Sequence, residues 1–412
     1  MKYIIVICDG SADNPARELG DKTPLEYAET PVMDSLAQNG ETGLARTVPI
    51  GLPPGSDTAI LSIFGYDPRK FYSGRSPLEA AGAGIKLSDG DVSYRCNMIT
   101  LEDAAIPYSD KRILSHSGGS IDGESSISLI NALLSDQRFA AAAAKNKITF
   151  YPSPSFRHIA VQKDADMSNF HAEPPHDHLG EVIASLVPSG NPVAKRLAEM
   201  MELAHEILDV HPINVKRRGE GKLPANGVWF WAEGTAVALP SFENLRGCKG
   251  LVISAVPLVR GIGALAGMDF WEVEGASGEL DTNYEGKADA ALKGLFEGYD
   301  LAVVHIEAPD ECSHNGDLLG KIEAIERTDG RCVARILAGL DKRGESYKML
   351  ILSDHKTLIS TRGHDGDPVP YVIYDSDEKK GRARGYNERE CAKGELIEEG
   401  HKLIERLIRR KI

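Results

Sequence analysis

The chain has 412 residues, of which 42% are hydrophobic and 26% charged, an ordinary balance for a globular protein and enough for two domains or one domain carrying an insertion. A net charge of −14 argues against nucleic acid and anionic membrane as partners. The six cysteines (Cys8, Cys96, Cys248, Cys312, Cys332, Cys391) include no C-x-x-C pair, so neither a disulfide framework nor a zinc ribbon is expected.

The opening MKYIIVICDG holds too short an apolar run for a signal-peptide core or a bilayer span, so a cytoplasmic enzyme is expected. Tyr3–Cys8 predicts a buried strand that ends in Asp9-Gly10. Thr30-Pro31 predicts a helix start, closed by Gly40. Ser76-Pro77-Leu78-Glu79 carries the same signal, with Glu79 spaced to complete a capping box. From about residue 90 to 220 the chain is broken by prolines and polar stretches, with an alanine run at Ala140–Ala144. That segment is expected to be a second domain inserted into the first, giving boundaries of 1–89, 90–220 and 221–412. Beyond it, Gly250–Val256, Tyr299–Val304 and Lys348–Ser353 are apolar runs separated by helical stretches, the longest being Gly316–Leu340. This alternation predicts an α/β fold, a parallel sheet covered on both faces by helices. Glu395–Ile412 predicts an amphipathic packing helix.

HIEAPDECSHNGD, residues 305–317, follows the apolar run YDLAVV and abruptly turns acidic and imidazole-rich. Buried charge is costly unless it is paired or bound to a metal. Ligands of parallel α/β sheets bind at the carboxyl ends of the strands, so the residues after each apolar run are the ones to collect. They are Asp9, then Asp310 and His314, then Asp354 and His355, with His364 ahead of Val369–Tyr374. Three carboxylates with three imidazoles suit zinc, manganese or iron better than calcium. Six ligands exceed the needs of one tetrahedral ion and fit two ions roughly 3.5–4 Å apart, as used in phosphoryl transfer. In PPGSDTAILSIFGYDP, Ser56 stands just before a predicted helix. A serine there is ordinarily an N-cap, yet the same place attracts anions, and a metal-bound hydroxyl there could attack phosphorus. The cluster His171, His176, Asp177, His178 lies among prolines and is read as a solvated or gating loop without a metal.

These residues resemble a known family. VICDG, GSDTAILSIFGYDP, SGRSPLEAAGAGI, EGASGELDTNYEGKADAAL through HIEAPDECSHNGDLLGKIEAIERTDG, and SDHKTLISTRGHDGDPVP are collinear with the archaeal-type 2,3-bisphosphoglycerate-independent phosphoglycerate mutases of the alkaline phosphatase superfamily. The resemblance implies that Ser56 is the nucleophile, passing a phosphoryl group between the hydroxyls of 3-phosphoglycerate and 2-phosphoglycerate. It implies two divalent ions (manganese, zinc, cobalt or magnesium), one held by Asp9, Ser56, Asp354 and His355, the other by Asp310, His314 and His364. It also implies an inserted domain that closes over a small phosphorylated metabolite. Arg75 and Arg157 are the candidate substrate clamps, because guanidinium forks match phosphate and carboxylate. The chain departs from the family at Ser115-His116-Ser117-Gly118-Gly119, where many members carry an R-A-G-R stretch. A sub-branch with that feature implies homoserine kinase activity as the alternative, although no G-x-x-x-x-G-K-[ST] loop is present to bind a nucleotide. A phosphohydrolase is a further, weaker alternative.

Overall fold

The computed structural model describes residues 1–378, 381 and 383–408. Strands β1 (Lys2–Cys8) and β2 (Glu41–Ala45) come first. Next are β3 (Val92–Leu101), β4 (Ile113–Ser115), β5 (Ile148–Tyr151), β6 (Arg157–Gln162) and β7 (Gly227–Thr235). Then follow β8 (Gly250–Ile253), β9 (Asp269–Phe270), β10 (Leu301–Ile306) and β11 (Tyr347–Leu352). The chain ends with β12 (Lys356–Leu358), β13 (Gly363–Asp365), β14 (Val369–Asp375) and β15 (Glu395–Ile397). They belong to two units: Met1–Tyr72, Ala81–Gly84 and Ala238–Ile412 form one, and Ser73–Ala80 with Ile85–Val237 the other. The second unit thus runs past the expected limit at 220, because β7 pairs with β3.

The first unit holds an eight-stranded sheet in the order β15-β2-β14-β11-β1-β10-β8-β9. Its parallel core, β11-β1-β10-β8-β9, explains why β1 reads as an unbroken apolar run: strands covered on both faces need no polar alternation. Ile4, Val6, Ala302, Val304, Met349 and Ile351 pack on one face with Tyr284, Leu295, Ile325 and Ile336 from the covering helices. β14 is antiparallel to β11, contrary to an all-parallel sheet. The connection from β11 to β14 holds the β12–β13 hairpin and no crossover helix of the kind that usually returns a chain to a parallel strand. In the second unit β3 is central, pairing antiparallel with β4, β6 and β7. Helices Gly123–Ser135, Gln137–Lys145 and Pro192–Asp209 pack on it through Leu129, Leu133, Phe139, Leu197 and Met201. Among the described residues, no helix is long and apolar enough to cross a membrane.

Three local expectations fail for physical reasons. The helix Arg75–Gly82 forms, but Ser76 Oγ is buried without a partner and Glu79 bonds Arg75 and Arg95 instead. Burial would raise Glu79, but the two guanidiniums prevail and hold it at about 2, so no capping box closes. The predicted helix Gly316–Leu340 is two, Leu318–Arg327 and Ala334–Arg343, joined by a π-helical turn at Thr328–Val333. In that turn Thr328 Oγ1 bonds back to Ala324 O, while Asp329 accepts from the backbone N–H groups of Val32 and Met33. Asp329 thereby caps the helix Pro31–Asn39, for which Thr30 makes no side-chain cap. Finally, Glu395–Ile397 is strand β15, paired with β2, and helical structure follows as a 3-10 turn at Gly400–Lys402 and a short helix at Leu403–Leu407. Residues 409–412 of the expected helix lie outside the described ones.

A buried ion pair locks the loop after β1 to the rest of the unit. Lys321 Nζ, fully buried, donates to Asp13 Oδ2 at 2.7 Å and to Thr357 O at 2.7 Å. Asp13 also accepts from the backbone N–H of Ile359. Removing one partner strands a buried charge. Asp13→Ala should lower unfolding free energy in urea by about 3–5 kcal/mol. Asp13→Leu combined with Lys321→Met should recover part of that loss.

Candidate active site

The site residues predicted in the first unit lie in the segments that follow β1, β10 and β11 and at one helix start. Asp9 follows β1, and Asp354 and His355 follow β11. Asp310 and His314 share one face of the helix Ala308–Asn315, which begins just after β10. His364 lies on β13, paired with Thr357 of β12. Gly10 makes the turn possible: its φ is +60°, and a Cβ there would lie 2.8 Å from the Cα of Asp310.

Asp9, Asp310 and Asp354 are buried, as is His355, while His314 and His364 are partly exposed. His355 Nε2 is 3.3 Å from Asp354 Oδ2 and 3.8 Å from Asp9 Oδ1. His314 Nε2 and His364 Nε2 lie 3.2 Å and 3.4 Å from Asp310 oxygens and 3.0 Å from each other. The rings of His355 and His364 are 4.1 Å apart. Two groups, Asp9/Asp354/His355 and Asp310/His355/His364, have ligand atoms within 4.8 Å of one another, the spacing of a metal-binding set.

Further observations fit a cation. Asp354 Oδ1 accepts from the N–H groups of Gly10 and His355, yet Asp354 Oδ2 and Asp9 Oδ1 have no donor among the described residues. Burial, then the Asp354 and Asp310 charges, push Asp9 well above the usual carboxylate range. The imidazoles present lone pairs toward the cluster. His314 Nδ1 donates to Arg362 O at 2.8 Å, which leaves Nε2 as the acceptor when the ring is neutral. Thr357 Oγ1 donates to Asp310 Oδ1 at 2.5 Å and lies 3.2 Å from His355 Nδ1, so it accepts from the N–H of that nitrogen and leaves Nε2 without a proton. Thr357 was not singled out by sequence; its only signal was its place two residues after His355.

Ser56 is the first residue of the helix Ser56–Ile63, and Gly55 occupies the cap position. Ser56 therefore does not cap. Its Oγ lies 3.1 Å from His355 Nε2 instead, at the amino end of a helix that favours negative charge.

In the second unit, Arg75 pairs with Glu79 at 3.1 Å and Arg157 stacks on Phe156 at 4.9 Å. Sequence reasoning missed that His116 contacts Phe156, and that His176 packs between His116 and Trp231. Arg95 covers Trp231 at 4.7 Å. His171 pairs with Ser189, and His178 lies between Glu173 and Glu181, apart from that stack in its contacts.

Fold and site together define a two-unit α/β protein with a serine hydroxyl set in a cage of carboxylates and imidazoles. The family model of 2,3-bisphosphoglycerate-independent phosphoglycerate mutase matches residues 37–214. A curated 2,3-bisphosphoglycerate-independent phosphoglycerate mutase of Methanosarcina acetivorans is 46% identical, over 92% of this chain and 91% of its own length. A probable one from Geobacter sulfurreducens is 44% identical over the full length of both. Among solved structures, a Pyrococcus horikoshii protein matches with a TM-score of 0.80 and 32% identity, covering 98% of this chain and 96% of that one. The cofactor-independent phosphoglycerate mutase of Thermoplasma acidophilum matches with a TM-score of 0.62 and 25% identity over 99% of each chain. The chain belongs to the 2,3-bisphosphoglycerate-independent phosphoglycerate mutase family.

The Asp310–His314 pair makes the stability of the chelated protein depend on pH. Its hydrogen bond to Asp310, more than any other influence, raises His314 to about 9, above the value near 6.5 of an unfolded histidine. A raised histidine stabilises fully below its unfolded pKa, and that contribution disappears as pH rises through the folded one. The thermal midpoint of chelated protein should therefore fall between about pH 6.5 and about pH 9. In His314→Gln that part of the pH dependence should vanish.

Proposed function

We propose that this chain interconverts 3-phosphoglycerate and 2-phosphoglycerate through a phosphoserine at Ser56. One observation carries the reading: a serine hydroxyl, released from capping at a helix start, faces His355 Nε2 beside carboxylate oxygens that lack donors. The names of the relatives at 46% and 44% identity support the same substrate.

Asp9, Ser56, Asp354 and His355 would hold one divalent ion, and Asp310, His314 and His364 the other. When bound, such ions offset the charge of the phosphoryl group and favour the seryl alkoxide. Mixed oxygen and nitrogen donors favour manganese, zinc or cobalt, with magnesium the harder alternative. In the first half-reaction Ser56 Oγ bonds to phosphorus, the bond from phosphorus to the glycerate oxygen breaks, and the serine proton ends on that oxygen. In the second half, the other glycerate hydroxyl oxygen bonds to phosphorus, the bond from phosphorus to Ser56 Oγ breaks, and the hydroxyl proton ends on Ser56 Oγ. N–H groups at the start of Ser56–Ile63 orient the phosphoryl oxygens. Arg75 and Arg157 are assigned to the anionic groups of the substrate, where a forked donor matches phosphate or carboxylate.

Exhaustive chelation should abolish turnover, and manganese, cobalt or zinc should restore it better than calcium. Asp310→Ala and His364→Ala should both lower metal content measured by elemental analysis. Unchanged stoichiometry in both would show these residues are not ligands.

Ser56→Ala should lose several orders of magnitude in kcat while substrate affinity changes little, since the anion-binding groups remain. Mass spectrometry should find one phosphoryl group on the wild-type peptide containing Ser56 and none in the variant. A parallel assay with 3-phosphoglycerate alone, and with homoserine plus ATP, separates the mutase from the kinase that the arginine-free 115–119 stretch would suit. Turnover only in the second arm would overturn the mutase reading.

A further inference from the structure

His305 opens the acidic stretch in the sequence, yet none of the roles above uses it. It is the penultimate residue of β10, fully buried, in register with Ile7 of β1. Its Nε2 lies 2.8 Å from Asp9 Oδ2, and its Nδ1 lies 3.2 Å from Ser254 Oγ. Ser254 follows β8 and is itself buried. The backbone N–H of Val256 donates to Ser254 Oγ at 3.0 Å, and the Asp9 carboxylate can only accept from His305 Nε2, which leaves Nδ1 to accept the serine's proton. With Nδ1 accepting, the ring proton sits on Nε2 and is donated to Asp9 Oδ2. Lys287 pins the backbone from the other side, donating to the carbonyls of His305 and Ser277.

The consequence falls on Asp9. A carboxylate turns readily about its last torsion, because sp³–sp² torsions are broad. Here Oδ2 is tied to His305, so Oδ1, which has no donor among the described residues, is left facing His355 Nε2 at 3.8 Å. We infer that His305 is a positioning residue: the Ser254–His305 relay holds Asp9 in the single orientation that offers Oδ1 to a divalent cation. The inference rests on the metal reading above. It assigns His305 no contact with substrate and no place among the ligands. Asp310, His314 and His364 are not bonded to the relay, so the effect is confined to the ion that Asp9 helps to hold.

Stepwise binding of manganese or cobalt to the chelated full-length protein, measured by calorimetry, tests it. In the wild type, two binding steps are expected. His305→Phe keeps the ring's bulk but removes both nitrogens, and should weaken one step by roughly 10–100-fold while leaving the other unchanged. His305→Gln restores an N–H donor near the Nε2 position and should recover most of that loss. Ser254→Ala keeps the imidazole but frees its tautomer, and should give a smaller, severalfold loss in the same step. The visible spectrum of bound cobalt should shift in His305→Phe and return in His305→Gln. A wild type that binds no ion would refute the metal reading itself. Two wild-type steps with unchanged affinities in His305→Phe would overturn only the positioning role. Equal losses in His305→Phe and His305→Gln would do the same, since bulk and not the donor would then matter. Should His305→Phe fail to fold, His305→Gln and Ser254→Ala still decide: near-wild-type affinity in Gln with a severalfold loss in Ala supports the relay, and any other pair of results overturns it.

Discussion

Three carboxylates buried at the ends of adjacent strands are the constraint on which the rest of this unit depends. Asp9, Asp310 and Asp354 stand after or near β1, β10 and β11, which are neighbours in the parallel core. Parallel strands bring their carboxyl ends to one edge, so the topology that makes the core apolar also crowds like charges together. Removed from water, such charges repel and each favours its protonated form. Burial and the two neighbouring carboxylates raise Asp9, whereas His314 and His364 hold Asp310 down against its own burial. Imidazoles stand beside all three, yet Asp9 Oδ1 and Asp354 Oδ2 have no donor among the described residues. A cation would offset that imbalance.

The surroundings are built to keep that imbalance in place. Ser353 Oγ accepts from Ala12 N and donates to His355 O, tying the loop after β11 to the loop after β1. Lys321, from a helix packed beside the sheet, reaches both Asp13 and the carbonyl of Thr357. Thr357 in turn joins Asp310 to His355. Two of these contacts, Ala12–Ser353 and Asp13–Lys321, link residues 341 and 308 positions apart in the chain, and each contact contributes one fixed hydrogen-bond direction to the cluster. Supports of this kind fix the directions of the carboxylate and imidazole atoms in the cluster.

Much of this was legible in the sequence because parallel sheets obey a simple rule. Short β-branched runs mark the strands, and whatever follows them lies at one edge, so Asp9, Asp310, His314, Asp354, His355 and His364 could be collected without coordinates. What was hidden depends on contacts between distant segments. Asp329, not Thr30, caps the helix Pro31–Asn39, and no local pattern reports that. Glu79 was correctly spaced for a capping box, but Arg95 on β3 outbids the backbone for its carboxylate. The antiparallel direction of β14 goes with a connection that holds a hairpin and no crossover helix, which apolar periodicity does not encode. His305 was visible in the sequence but grouped with the acidic stretch and not with the strand, because the apolar run ends one residue before it.

Ser56 shows how the same physics can free a reactive group. A serine at a helix start normally spends its oxygen on an unpaired N–H of the first turn. Here the chain shifts the helix start by one residue, so that Gly55 takes the cap position and Ser56 becomes the first helical residue. Thr58 Oγ1 bonds the carbonyl of Gly55, and Tyr72 donates to Asp57 Oδ2 at 2.6 Å, so this first turn is held by its neighbours. The Ser56 hydroxyl is then directed at His355 Nε2, into the region where carboxylate oxygens lack donors. A glycine at the cap costs only a few tenths of a kcal/mol relative to a serine there. That small local loss is what leaves the oxygen available for chemistry.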